Sequence, residues 1–392
     1  MKLAILGSEP FFKNKLPVGQ LYFPSWDEYE LVFRDIFERR YYTNHGPLVN
    51  KFETELSDFL NVKHAVCVSN ATIGLCILIE AMGIKGRVIV PAFTFIATIQ
   101  ALLWCNIEPI LCDVDPNSHH LDVKNLELLL AQGADGVLSV NLWGGSSNID
   151  QITKLCETYK VPLFFDSAQS FGSEYKNKKI GIFGQAEVFS FHATKIVSAA
   201  EGGVITTNDD VLADKLRNVR SSYGVRKKVA VRKTANGRMS EAQAAIGIIS
   251  LSKYENYNYR NKNMFFRYKE LLKGVPGIKL IHPENVTSSN YQYLVLEVDE
   301  KLFGLNRDTL VLALQAENVM ARKYFNPLCY EVYDNIPYKE WDLKNTKLLS
   351  NKVIQLPLGA LISDFDIYNI CQILIAAHEN HEKLLKIFNG DD

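Results

Sequence analysis

Paired cysteines, a signal peptide and a membrane span are all missing from this sequence. Its seven cysteines lie singly along 392 residues, and no spacing among them suits a zinc site or an iron–sulfur cluster. A cytosolic protein with reduced thiols is the simplest interpretation. The brief apolar stretch at the N-terminus lacks the length and cleavage pattern of a signal peptide. No apolar run is long enough to span a bilayer.

An excess of charge of one sign is also absent. Lys and Arg number 43 and Asp and Glu number 44, so the formal net charge is −1. A nearly neutral chain creates no field that would attract nucleic acid or an anionic membrane surface. Hydrophobic residues make up 47% of the chain, as in an ordinary globular protein, and the length predicts more than one domain.

Between about residues 64 and 210, short β-rich runs alternate with helical stretches. The runs predicted as strands are 65–69, 87–91, 110–113, 136–141, 163–166, 187–191 and 203–207. The helices predicted between them are 72–81, 95–104, 125–131 and 150–159. Apolar strands in such alternation predict an α/β fold with a mostly parallel, seven-stranded sheet sandwiched by helices. Since ligands bind beyond the carboxyl ends of such strands, we expect the functional site there.

The segments on either side complete a two-domain prediction. Helices are predicted at 26–37 and 51–60, with a loop at 41–49 where Asn, Gly and Pro cluster. After Met239 a long helical run continues through Leu272. Strands near 293–298 and 353–356 then indicate a smaller α+β unit. We therefore predict that residues 1–250 hold an N-terminal segment and a large α/β domain, and residues 251–392 a smaller C-terminal α+β domain.

Two runs carry residues that suit one kind of chemistry. Lys195 lies in VFSFHATKIVSAAEGG, which has few other charges, and Asp166 ends the strand-like run PLFFD. A lysine that forms a Schiff base, with an acid that pairs with a pyridinium nitrogen, is what pyridoxal phosphate requires. Taken singly, the commoner interpretations are a surface lysine and a capping or turn aspartate. His192 is more often a packed histidine, and it would be the candidate base only if Lys195 were absent.

Other residues suit the same cofactor. Residues 69–72 follow a strand and open a helix, where backbone N–H groups favour a phosphate, although an ordinary N-cap fits as well. Ser190 offers the phosphate a second hydroxyl. Gln169 suits either the cofactor's ring oxygen or a turn. Phe93 or Phe95 could stack on a planar heterocycle, but an aromatic at such a junction is more often core.

In their order along the chain, these motifs resemble those of the DegT/StrS-type sugar aminotransferases, which are fold-type I pyridoxal phosphate enzymes. The resemblance runs nearly end to end. It is carried by TNHGPLVNKFE (43–53), VSNATIGL (68–75), PAFTFIAT (91–98), VNLWGG (140–145), FDSAQSFG (165–172), VFSFHATK (188–195), EGGVITTND (201–209) and NGRMSEAQAAIG (236–247). It implies an aspartate aminotransferase-like fold, transamination, and pyridoxal phosphate with pyridoxamine phosphate as its intermediate form.

The resemblance also implies a role for each cofactor residue. Lys195 would form the Schiff base and act as general acid and base, and Asp166 would pair with the pyridine nitrogen. The remaining contacts that it implies are Ala71, Thr72 and Ser190 at the phosphate, Phe95 stacked on the ring, Gln169 at the cofactor face or 3′-oxygen, and Asn236 at the phosphate of the neighbouring subunit. The active site would therefore require a homodimer.

Within this family, several stretches are most similar to the enzymes that make dTDP-4-amino-4,6-dideoxyglucose from the 4-keto sugar, with L-glutamate as amino donor. Among them are SNYQYLVLEVDE (289–300) and RKYFNPLCYE (322–331). The substrate contacts that this likeness implies are Trp143, Tyr223, Arg238, Tyr324, Phe325 and Tyr330. The chain departs from its relatives near Tyr223 and at Tyr330, where histidine is common. Arg220, Arg238 and Arg322 are candidates to pair with the substrate's diphosphate.

Three alternatives remain open at this level. A 3-aminotransferase acting on a 3-keto sugar would share every cofactor motif and differ only in its sugar pocket. A sugar dehydratase of the same fold carries histidine in place of the lysine, which the presence of Lys195 argues against. A regulatory protein could keep pyridoxal phosphate without turnover, but the chain lacks a basic helix-turn-helix stretch. The pathway implied is synthesis of a surface polysaccharide such as O-antigen, or of a glycosylated natural product.

Overall fold

The structure is a computed structural model that describes residues 2–19, 22–334, 336 and 341–389. After a 3-10 turn at Ala4–Leu6, its helices are α1 (Trp26–Arg39), α2 (Pro47–Leu60), α3 (Ala71–Met82), α4 (Ile96–Trp104), α5 (Val123–Ala131), α6 (Ile149–Tyr159), α7 (Asp210–Arg220), α8 (Glu241–Ser252), α9 (Tyr254–Leu271), α10 (Glu300–Phe303), α11 (Arg307–Ala316), α12 (Lys344–Ser350), α13 (Asp364–Glu379) and α14 (His381–Asn389). Its strands are β1 (His64–Val68), β2 (Arg87–Pro91), β3 (Glu108–Cys112), β4 (Gly136–Val140), β5 (Leu163–Asp166), β6 (Glu174–Tyr175), β7 (Lys178–Lys179), β8 (Glu187–Ser190), β9 (Gly203–Thr207), β10 (Ile278–Leu280), β11 (Leu294–Val298), β12 (Arg322–Lys323) and β13 (Val353–Leu356).

The largest sheet has seven strands in the order β1-β9-β8-β5-β4-β2-β3. The ladders between β8, β5, β4, β2 and β3 are parallel. Strand β9 is antiparallel to both of its neighbours, β1 and β8. The predicted mostly parallel, seven-stranded sheet is therefore confirmed. All seven strands were predicted, with ends that differ by two residues at most, because their apolar runs are bounded by polar and turn residues.

Helices cover both faces of this sheet, as the continuous apolar strands require. Neighbouring residues of β5 enter different cores. Phe164 packs in the cluster that contains Leu75 and Leu78 of α3. Phe165 packs in the cluster that contains Leu126 of α5 and Ile152 of α6. Because successive strand residues point to opposite faces, the sheet is covered on both sides.

Two predicted boundaries were wrong. The loop predicted at 41–49 ends earlier, since α2 begins at Pro47, and proline at the first helical position lacks only an N–H that would be unpaired there anyway. The long helical run after Met239 is two helices that meet at Lys253, a residue with non-helical geometry. Helix α7, which follows the last strand of the large sheet, was not predicted.

The C-terminal part contains a second sheet with the order β10-β11-β13-β12, in which every ladder is antiparallel. It shares a hydrophobic core with α9, α11 and α13. The predicted strands near 293–298 and 353–356 are confirmed as β11 and β13. The division of the chain at residue 250 into two domains stays a prediction. All seven cysteines are free, and among the described residues no helix is long and apolar enough to cross a membrane.

Candidate active site

A cavity of about 560 Å³ opens at the carboxyl edge of the large sheet. Helix starts, strand ends and two segments of the C-terminal part, at Tyr293 and at 322–324, form its wall. The predicted cofactor residues that line it are Ala71, Thr72, Phe95, Asp166, Gln169, Ser190 and Lys195. The fold thus brings together seven side chains that are spread over more than a hundred residues of sequence, at the edge where a parallel sheet binds its ligands.

Asp166 is the last residue of β5, and its side chain is buried. Its Oδ2 accepts a hydrogen bond from Thr98 Oγ1 at 2.8 Å, and its Oδ1 accepts one from the Ala168 N–H at 3.2 Å. Burial raises the pKa of this carboxyl, while both hydrogen bonds and the nearby Lys195 act in the opposite direction. A buried carboxylate with so few partners favours a cationic group in the cavity beside it.

Lys195 lies in the loop after β8, and its side chain is half-buried. Its Nζ is hydrogen-bonded to Tyr293 Oη at 2.7 Å. Desolvation lowers the pKa of the amine, and the nearby Tyr324 and Asp166 oppose this effect. A lowered pKa increases the fraction of neutral amine, which is the form that attacks a carbonyl.

The N-terminus of α3 forms one end of the cavity. Asn70 caps this helix, because its Oδ1 accepts a hydrogen bond from the Ile73 N–H at 2.9 Å. The next N–H groups, at Ala71 and Thr72, have no acceptor within the helix and face the side where an anion would be favoured. Gly203 of β9 packs so closely here that a Cβ on it would lie 2.9 Å from Ala71 N. The glycine lets the strand approach the helix start and Ser190, which lines the same cavity.

These features fit pyridoxal phosphate. The buried Asp166 suits a protonated ring nitrogen, Lys195 offers an amine with a lowered pKa, and the start of α3 suits a phosphate. Phe95 is 52% exposed and lines the cavity, so its ring is available to a planar heterocycle. Gln169 uses its Oε1 to accept a hydrogen bond from the Trp143 N–H at 3.0 Å, which holds its side chain against the same wall.

Most of the other predicted residues lie outside this lining. Asn236 is exposed and is not among the residues that line the cavity of its own chain. Of the predicted substrate residues, only Tyr324 lines the cavity. Trp143 is buried behind it, with its ring stacked 5.6 Å from that of Phe325. The residues of the predicted substrate set that the fold places elsewhere are Phe325 and Tyr330, both buried in a core cluster, and Tyr223, exposed with the guanidinium of Arg238 5.7 Å from its ring.

The three candidate arginines have different surroundings. Arg220 is buried, where its Nη1 lies 2.5 Å from Glu53 Oε1 and 2.7 Å from the carbonyl oxygen of Cys67. It is therefore a structural residue and no longer a candidate for the diphosphate. Arg238 donates a hydrogen bond to Ser221 Oγ at 2.9 Å outside the cavity. Arg322 alone among the three lines the cavity.

Sequence reasoning missed two residues of the site. Thr98 supports Asp166 across 68 positions of sequence, and Tyr293 bonds Lys195 across 98. Both lie inside runs that carry the family resemblance, PAFTFIAT and SNYQYLVLEVDE, but nothing in either run marks the residue as a partner of the site. His192 also lines the cavity, where its Nδ1 is bonded to Thr194 Oγ1 at 2.8 Å.

Comparison with known proteins identifies the family of the chain. Residues 27–375 match the DegT/DnrJ/EryC1/StrS aminotransferase family. A dTDP-4-amino-4,6-dideoxy-D-glucose transaminase of Shigella dysenteriae is 30% identical over 351 residues, which cover 88% of this chain and 94% of that protein. A GDP-perosamine synthase of Vibrio cholerae is 27% identical over 365 residues, covering 90% and 97%. The crystal structure of DesI in the presence of its TDP-sugar product superposes with a TM-score of 0.94 at 33% identity and covers 99% of both chains.

The chain therefore belongs to the DegT/DnrJ/EryC1/StrS aminotransferase family. It is an enzyme, a pyridoxal phosphate-dependent sugar aminotransferase with the fold of that family. The predicted family, fold class, reaction class and cofactor are confirmed.

Proposed function

We propose that the enzyme transfers the amino group of L-glutamate to C4 of dTDP-4-keto-6-deoxy-D-glucose. The products are dTDP-4-amino-4,6-dideoxy-D-glucose and 2-oxoglutarate. The observation that carries the chemistry is the placement of Lys195 and Asp166 on the wall of one cavity with the start of α3. The choice of sugar is supported by a DesI structure and a transaminase of Shigella dysenteriae, which share at least 30% of their residues with this chain.

Each residue has a separate task in this proposal. Pyridoxal phosphate, when bound, supplies a carbonyl that takes up an amino group and a ring that withdraws electrons. Asp166 keeps the proton on the ring nitrogen, and the N–H groups of Ala71 and Thr72, with Ser190, hold the phosphate. Lys195 moves protons at the α-carbon of glutamate and at C4 of the sugar. One amine can serve as both acid and base, and desolvation assists this by lowering its pKa below the ordinary lysine value.

The nucleotide end of the substrate is assigned to Arg322 and Tyr324. Both line the cavity, and the described lining contains no other arginine. A guanidinium pairs well with a diphosphate, because its planar N–H groups match two phosphate oxygens. Contacts of Trp143, Phe325 and Tyr330 with the sugar would require a rearrangement, since these three side chains are buried.

We extend the proposal to a homodimer in which Asn236 reaches the phosphate in the partner's site. Asn236 is exposed and lies outside the cavity of its own chain. Exposed aromatic residues support an interface, since Trp26 is 69% and Tyr223 is 66% exposed.

The test of this homodimer mixes inactive Lys195→Ala and Asn236→Asp proteins. If Asn236 acts in the partner, the mixed dimers regain one intact site, and about a quarter of the activity returns. If Asn236 acts in its own chain, none returns.

The reaction itself is tested with purified protein, pyridoxal phosphate, glutamate and dTDP-4-keto-6-deoxy-D-glucose. The product is located by NMR of the sugar ring. An amine at C4 that disappears in Lys195→Ala supports the proposal. The same assay with a 3-keto-6-deoxy nucleotide sugar tests the alternative of a 3-aminotransferase. An amine formed at C3 in that assay would identify the 3-keto sugar as the substrate in place of the 4-keto sugar. If glutamate converts the bound cofactor but no amino sugar forms, the assignment as an aminotransferase stands and only the choice of this sugar is refuted.

The wider setting is a part of the same proposal. Relatives are named for polysaccharide synthesis and for perosamine, so we assign the product to a surface polysaccharide. A cytoplasmic location is proposed on the seven free, scattered cysteines.

A further inference from the structure

One hydrogen bond at the site has no part in the roles given above. Lys195 Nζ lies 2.7 Å from Tyr293 Oη and 5.4 Å from the centre of the same ring. Tyr293 is buried, and its ring makes an edge contact with Trp143 at 5.6 Å. Tyr293 comes from the C-terminal part of the chain, directly before β11, so the contact joins that part to the lysine of the α/β sheet.

The position of Tyr293 does not depend on the lysine. The neighbouring Gln292 accepts a hydrogen bond on Oε1 from the Ile196 N–H at 2.8 Å. Asn290 donates from Nδ2 to the carbonyl oxygens of Gln169 and Phe171 at 3.0 and 3.1 Å. The segment 290–293 is therefore attached to the loop after β5 and to the loop after β8, and it carries the phenol to a fixed point beside the amine.

A phenol at this point suits an amine that must change its protonation state. A hydroxyl accepts a hydrogen bond from an ammonium group and donates one to a neutral amine. Burial raises the pKa of Tyr293, so it stays a neutral phenol. The other titratable or charged groups close to the pair are Asp166, Tyr324 and Arg322. A carboxylate can only accept a hydrogen bond and a guanidinium can only donate one, so Asp166 and Arg322 cannot take both roles of the hydroxyl. Tyr324 has a hydroxyl too, but it makes no hydrogen bond to Lys195.

We propose that Tyr293 is the positioning residue of Lys195. Its hydroxyl holds the amine whenever the lysine is not bonded to the cofactor, and so keeps it in place for proton transfer at the substrate carbon. The inference rests on the proposed role of Lys195 and adds a residue to it.

The test uses the protein freed of cofactor. The rate at which dinitrofluorobenzene arylates Lys195 is followed by peptide mass spectrometry from low to high pH, and its midpoint reports the pKa of the amine. A hydrogen bond to a charged group is stronger than one to a neutral group. We therefore expect Tyr293→Phe to lower this midpoint by about one pH unit, a tenfold change. The glutamate half-reaction should slow by at least about tenfold with its KM unchanged.

Tyr254→Phe is the matched control. Tyr254 is equally buried, and its hydroxyl has no hydrogen-bond partner in the described structure, so this variant should leave the midpoint in place. Both variants keep the aromatic ring, and a thermal melt checks that they are folded. A midpoint that stays or rises in Tyr293→Phe overturns the proposal. Borohydride reduction of the loaded protein, followed by peptide mapping, tests the underlying role separately. Cofactor attached to any other lysine overturns both.

Discussion

The hydroxyl of Thr98, in the first turn of α4, donates a hydrogen bond to Asp166 at the end of β5 over 2.8 Å. The two residues come from different strand–helix units of the sheet. Their contact is the strongest direct support that the buried carboxylate has, since its other oxygen meets a backbone N–H at 3.2 Å. The bond favours the ionised form of Asp166, which burial alone would disfavour.

Removal of that hydroxyl should weaken cofactor binding. In Thr98→Val the shape is kept, but the pKa of Asp166 rises further, so the carboxylate is less able to hold a protonated ring nitrogen. We expect the Kd of the cofactor-free protein for pyridoxal phosphate to rise about tenfold, as for loss of a hydrogen bond to a charged group. Absorbance titration measures it. Thr158→Val, which removes an exposed hydroxyl of α6, should leave the Kd unchanged. Equal Kd values in all three proteins would contradict the prediction.

Arg322 should affect the sugar half of the reaction more than the glutamate half. We expect Arg322→Leu to raise the KM for the nucleotide sugar by at least about tenfold, because a cationic partner of the diphosphate is lost. Single-turnover reaction with glutamate should change less than the KM for the nucleotide sugar, since only that substrate carries the diphosphate assigned to Arg322. Steady-state and stopped-flow kinetics separate the two effects. Arg87→Leu serves as the control, because Arg87 is the first residue of β2 and lies at the end of that strand away from the carboxyl edge. A similar rise in KM in this variant would refute the assignment of Arg322.

The buried pair of Glu53 and Arg220 should matter for folding. The two side chains are joined at 2.5 Å, and they also bond the N–H and carbonyl groups of Cys67 on β1. Arg220→Met leaves a buried carboxylate without its partner, so the free energy of unfolding should fall by about 3–5 kcal/mol. Urea denaturation measures the change. Arg34→Met breaks an exposed pair with Glu30 and should cost less than about 0.5 kcal/mol. A similar fall in the free energy of unfolding in both variants would show that the buried pair contributes no more to stability than the exposed pair.

Glu187 should make stability depend on pH. It is fully buried beneath Ser167, and burial raises the pKa of its carboxyl from 4.5 to about 7. The folded state therefore holds a proton that the unfolded state has already lost between these values. The stability that Glu187 contributes is complete below about pH 4.5, and it declines as the pH rises to about 7.

Against Glu187→Gln, which cannot titrate, the free energy of unfolding of wild type should fall by on the order of 3 kcal/mol across this range. Urea denaturation of both proteins at about pH 5 and about pH 8 gives the comparison. Parallel changes in the two proteins would mean that Glu187 stays ionised throughout.

Local patterns carried much of the fold and the cofactor site. Each strand of the large sheet is a short apolar run bounded by polar residues, which is why all seven were predicted from the sequence. Asp166 and Ser190 end such runs, and α3 starts shortly after another, so their place at the carboxyl edge followed from the alternation of strands and helices. Lys195 was recognisable from its neighbours and from the ordered motifs around it.

What the sequence by itself determined is therefore the sheet, the cofactor and the side chains that we propose to hold it, because each depends on residues close together in the chain. Tertiary structure alone decided which arginine faces the cavity and which is buried, since the groups around each side chain, such as Glu53 beside Arg220, are distant in sequence. It also decided the partners of the two central groups, Thr98 for Asp166 and Tyr293 for Lys195. Contacts across 68 and 98 positions leave no periodic signal in the chain. The first exists only once the large sheet and its helices have assembled, and the second only once the C-terminal part has packed against them.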